Sequence, residues 1–110
     1  MTVAELLNLV RRKVNDVAAV RWSDAVLLTF YNSCRWTMWS RKPFVFYVSA
    51  FVQAYPGDIS STSGNIDFEE IWVEPVVCYI CYKCYEEDSE DANMQALAKA
   101  NLDLFQGELS

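Results

Sequence analysis

A chain of 110 residues with 53% hydrophobic and 15% aromatic content is read as one domain, residues 1–110, able to bury a core without disulfide staples. Its net charge of −6 and its lack of histidine speak against a general nucleic-acid binder and exclude histidine-based triads and proton shuttles. Glycine occurs only three times, at positions too scattered for a phosphate-cradling loop.

The first predicted helix opens on Thr2, with Glu5 three residues on, which is a capping box. Val3, Leu6, Leu7, Val10, Val14 and Val17 then recur at helical spacing and give one apolar stripe. Arg11, Arg12 and Lys13 fall late in it, where cations complement the negative end of the helix dipole. This amphipathic opening is not a basic patch followed by an apolar run, so no export signal is expected. Four cysteines without such a signal point to a reducing compartment.

Ser23 and Asp24 suit the N-cap and first turn of a second helix. Leu27, Tyr31, Cys34 and Met38 mark its inner face, widened by Leu28, Phe30, Trp36 and Trp39. It should stop near Ser40, because Pro43 disfavours the helical region for Lys42. From Phe44 to Tyr55 the composition turns β-branched and aromatic, and the spacing predicts a strand apolar on both faces. Pro56-Gly57 is a turn signal, and residues 60–65 form a polar loop.

The organising stretch is Phe68 to Tyr85, FEEIWVEPVVCYICYKCY. Its apolar residues surround the helix axis, which predicts a buried central helix over about residues 68–87. Asp67 with Glu70 gives a box-like start. Pro75 implies either a kink or a restart with the proline in the first turn. The acidic run 86–91 ends this helix, and Asp88 or Ser89 caps a fourth one. There Ala92, Ala96 and Ala100, with Leu97, Leu104 and Phe105 alongside, are expected to let it approach the central helix closely, and Gly107 to fray its end. The fold class is therefore mainly α, about four helices around a central apolar helix, with a small β element between helices 2 and 3.

Cys78, Cys81 and Cys84 form C-x2-C-x2-C, the one pattern resembling a cofactor motif. On a helix, at about 100° per residue, their side chains fan out rather than converge on one ion. With only Cys34 besides and no histidine, a zinc site is not completed, so no cofactor is expected. The alternative function is a small cytoplasmic metal- or iron–sulfur-binding protein using these three cysteines. The acidic turn at 86–91 lacks the spacing of an EF-hand loop.

Residues 1–55 carry a net charge of +4 and residues 56–110 a net charge of −10. Such polarity suits an assembly in which the basic half of one copy meets the acidic half of the next. The strand-like stretch points the same way. A lone apolar strand leaves its backbone groups unpaired, so a partner on another copy is expected, with Phe44, Phe46, Val48, Phe51 and Tyr55 as interface candidates. On that reading Phe46→Asp or Val48→Pro blocks assembly and leaves the helices intact.

Arg21-Trp22-Ser23-Asp24, followed by Leu27-Leu28 and Tyr31-Asn32, resembles the second-helix signature of head–tail adaptor (connector) proteins of tailed bacteriophages. Glu74-Pro75, Tyr79, Lys83, Tyr85, Asp88, Glu90-Asp91-Ala92-Asn93, Ala96, Ala100 and Phe105 resemble that family's closing helix pair. The two matches cover a little over half the chain, in the family's order. The resemblance implies a non-enzymatic virion component made in the bacterial host cytoplasm and residing at the neck. It implies a homo-oligomeric, commonly dodecameric ring that joins the portal protein to a tail or stopper protein. DNA passes through such a ring without specific binding, and no membrane is involved. Residues 43–67 leave no room for the multistranded insertion of longer relatives.

Overall fold

The computed structural model describes residues 1–14, 22–42, 46, 57–87 and 92–109, with the side chains of 92–95 and 109 left aside. The protein is mainly helical: α1 spans Val3–Lys13, α2 Asp24–Arg41, α3 Val73–Glu87 and α4 Ala92–Leu109, and a 3-10 turn, Glu70–Trp72, leads into α3. No strand occurs among the described residues. The β contacts there are two isolated antiparallel bridges, Thr2 with Asn65 and Phe46 with Phe68.

The capping box at the start of α1 is present: Thr2 Oγ1 accepts from Glu5 N at 3.1 Å, and Glu5 Oε1 accepts from Thr2 N at 3.2 Å. That places Val3, Leu6, Leu7 and Val10 on one buried face; Val17 of the expected stripe lies outside the described residues. Residues 62–66 cross the start of α1, with Val3 N donating to Gly64 O at 2.9 Å and Ile66 N to Met1 O at 3.0 Å.

Ser23 caps α2 through Val26 N at 3.3 Å. Leu27, Tyr31, Cys34 and Met38 are all fully buried, as their spacing requires. The helix runs one residue past the expected stop, to Arg41, with Lys42 closing it.

Between Glu69 and Val73 the chain takes the restart rather than the kink. The 3-10 turn is followed by α3 with Pro75 as its third residue, where a missing N–H breaks no helical hydrogen bond. Asp67 and Glu70 do not form the expected box. The turn's N-cap is Glu69, with no side-chain cap, because the Asp67 carboxylate pairs with Arg35.

From Pro75 to Cys81 every residue of α3 is buried, and Cys84 and Tyr85 extend that surface. The helix touches α1, α2 and α4.

On α4 the expected inner face is buried at Phe105 alone among its members whose side chains are described. Ala96, Leu97, Ala100 and Leu104 are exposed, whereas Ala98, Asn101 and Phe105 are buried. The Phe105 ring meets Tyr79 edge-on at a centroid distance of 4.8 Å, so close approach to α3 is made by Ala98 and an aromatic contact. Gly107 does not fray the helix, which continues to Leu109. The expected caps Asp88 and Ser89 lie outside the described residues.

Candidate functional site

The densest polar construction is centred on Arg35, whose side chain is fully buried. A guanidinium inside an apolar face survives only if its donors are matched. Nε donates to Asp67 Oδ1 at 3.2 Å and Nη2 to Asp67 Oδ2, a bidentate pair. Nη1 donates to Gly57 O at 2.6 Å and to Asn32 Oδ1 at 3.4 Å. The rings of Tyr31 and Phe46 lie 5.9 and 5.8 Å from its Cζ, within cation–π range.

One turn away, Asn32 holds the incoming loop as a second backbone strand would. Its Nδ2 donates to Ile59 O at 2.9 Å, and its Oδ1 accepts from Ile59 N at 2.8 Å. Together the two side chains fasten residues 57–67 onto α2. Gly57 has a φ of +90°, a conformation natural to glycine, and it presents its carbonyl to Arg35 from there.

Beside this cluster lies an open cleft of about 490 Å³, lined by Thr29, Asn32, Ser33, Trp36 and Asp58. Trp36 is 56% exposed. Ser33 also reaches α3, its Oγ lying 2.7 Å from the Tyr79 hydroxyl.

The basic trio of α1 divides by role. Arg11, only 5% exposed, donates to Trp22 O at 2.8 Å and to Asp24 Oδ1 at 2.6 Å. It therefore joins the end of α1 to the start of α2, a tertiary role beyond the dipole complement expected of it. Lys13 lies 3.6 Å from the Glu74 carboxylate and 3.5 Å from Cys78 Sγ. Arg12 remains exposed.

Cys78, Cys81 and Cys84 are buried free thiols on α3, as Cys34 is on α2. Among the described residues no group of three or more histidine, cysteine, aspartate or glutamate side chains is placed to hold a metal ion. Burial pushes the Cys81 thiol up to about 12 and raises Cys34 well above the ordinary thiol value. Thiols so held are packing groups rather than nucleophiles.

Of the interface candidates, Phe44, Val48, Phe51 and Tyr55 lie outside the described residues. Phe46 is in the core and not on a surface. It is 4% exposed, makes edge contacts with Trp39 at 5.9 Å and Phe68 at 6.0 Å, and bridges to Phe68 of its own chain. An aspartate there falls beside a buried guanidinium and two rings, so Phe46→Asp is a test of folding, not of assembly.

The large hydrophobics exposed elsewhere include Trp36, Ile71, Leu97 and Leu104. No helix among the described residues is long and apolar enough to cross a membrane. No family model, curated protein or solved structure matches the chain.

Proposed function

We propose that this chain is a structural, non-enzymatic subunit of a tailed-phage neck. In that role copies form a ring, commonly of twelve, that joins the portal protein to the tail or stopper and surrounds the passing DNA. The observation that carries the reading is the order of the two resembling segments and the elements on which they fall. The signature from Trp22 to Asn32 forms the N-cap and first half of α2, and the segment from Glu74 to Phe105 runs along α3 into α4, with Tyr79 touching both Ser33 and Phe105. Large apolar side chains left on the surface, Trp36 and Ile71 among them, suit a protein whose surface is completed by neighbours.

In this reading α1, α2 and α4 are arranged about α3, and the Phe46–Phe68 bridge belongs to the small β element between α2 and α3. The DNA passage calls for weak, salt-sensitive binding, because many fixed phosphate contacts would resist sliding.

Electron microscopy of the purified chain mixed with the portal protein of the same phage tests the reading. Rings docked coaxially beneath the portal are expected. A chain that leaves the portal bare at saturating concentration, or that binds duplex DNA at submicromolar Kd in physiological salt, overturns it.

A further inference from the structure

The outward surface of α4 carries an apolar stripe of its own. Leu97 and Leu104 are 44% and 59% exposed, and Ala96, Ala100 and Gly107 share that side with them. At about 100° per residue, Leu97, Ala100 and Leu104 fall within an arc of about 60°. The surface is open: a Cβ added at Gly107 would meet nothing within 4 Å. Along one edge of the stripe stand Lys99 and Asp103, both exposed and one turn apart. Lys99 is the sole base in α4.

We propose that this surface binds the same surface of a second copy, with the two α4 helices antiparallel about a two-fold axis beside Ala100. The occupant is named by the pattern's self-complementarity. With the axis between Ala100 and Asn101, Leu97 of each copy meets Leu104 of the other, and the alanines meet across the axis where small side chains let the helices approach.

The charges then choose the direction. In an antiparallel pair each helix edge faces the same edge of its partner running the opposite way, so Lys99 of each copy lies against Asp103 of the other, twice. In a parallel pair that edge would face the opposite one, which carries Glu108 and no base. An isologous contact of this kind closes on itself and does not propagate. It is thus a contact of the free protein, separate from the head-to-tail contacts of a ring, and goes beyond the neck reading. One helix face per copy buries less than the standard interface of about 1,600 Å², so the pair is a weak, concentration-dependent dimer rather than an obligate one.

Sedimentation velocity of the full chain from about 10 μM to about 1 mM spans the range expected for such an interface. Wild type should pass from monomer to dimer within it. Leu104→Glu, at an exposed position, should keep the helical circular dichroism and abolish the dimer. Lys99→Asp and Asp103→Lys should each weaken it about tenfold, since each loses two pairs and opposes like charges. The double variant Lys99→Asp/Asp103→Lys should return to within about threefold of wild type, because the reversed charges meet again. A wild type that stays monomeric throughout overturns the proposal and leaves the stripe to another protein or to solvent. So does a Leu104→Glu variant that dimerises normally, or a double variant no better than the singles. Docking to the portal is unaffected by any of these results, so the two readings fail separately.

Discussion

Removing the Asp67 carboxylate is the sharpest probe of how the loop is held. In Asp67→Ala the Arg35 guanidinium stays where α2 puts it, fully buried, with its remaining bonds to Gly57 O and Asn32 Oδ1. Breaking a buried pair by deleting one partner costs about 3–5 kcal/mol, because the other charge is left uncompensated. Asp67 itself is 28% exposed, so water can enter in its place, and the lower end, about 3 kcal/mol, is expected. With an m-value of about 1–2 kcal/mol/M, that lowers the urea midpoint by roughly 2 M. The double variant Arg35→Met/Asp67→Leu removes both charges and keeps the volume, and should recover most of the loss. Urea unfolding followed by circular dichroism at 222 nm measures both. If Asp67→Ala unfolds within about 1 kcal/mol of wild type, the carboxylate is not what makes the buried guanidinium tolerable, and the reasoning fails.

Tyr79→Phe should cost about 1 kcal/mol through the lost contact with Ser33 Oγ, and Tyr79→Asp at least about 3 kcal/mol, since it puts a charge against Phe105; thermal melts of the two variants check the order. Gly107→Ala should stabilise by about 0.5–1 kcal/mol, because the helix continues through it and the added methyl meets nothing. The buried thiols make stability fall with alkalinity. Cys81, raised to about 12, keeps its proton in the folded state while the unfolded chain releases it above about pH 9, so stability drops by up to about 1.4 kcal/mol per pH unit for that group. Urea midpoints between pH 9 and 11 should show a shallower fall in Cys81→Ala; equal slopes would refute the assignment.

Periodicity carried the first half of the fold because α1 and α2 each have a well-marked buried face. The Thr2–Glu5 box and the Val3, Leu6, Leu7, Val10 spacing led directly to α1, and Leu27, Tyr31, Cys34, Met38 to the inside of α2. Arg35 was not read from that pattern, although a signal was available. It follows Tyr31 by one turn and precedes Met38 by three residues, which places it on the buried face, but a charged residue within an apolar pattern passes for surface. Its partner, Asp67, is 32 residues away, and no local period connects the two. Arg11 was lost in the same way, since a base near a helix end has a sufficient local explanation in the dipole.

The outward turn of the expected alanines and leucines of α4 has a different cause. Ala98, Asn101 and Phe105 are spaced at i, i+3 and i+7 as regularly as Leu97, Ala100 and Leu104, so the helix carries two candidate inner faces and hydropathy favours the wrong one. What decides is size and shape against a particular neighbour. The α3 surface there is occupied by Tyr79, and an edge-on ring contact with Phe105 at 4.8 Å fills that space better than two branched leucines and two alanines would. The amide of Asn101 is matched inside on one side only: its Nδ2 donates to Leu97 O at 2.8 Å, one turn back, while its Oδ1 meets no hydrogen-bond donor among the described residues. Once Phe105 has taken the inner position, Leu97 and Leu104 are obliged to face outward. Their exposure is therefore a consequence of how the core was filled, and the surface it creates is one that a single copy of this chain leaves uncovered.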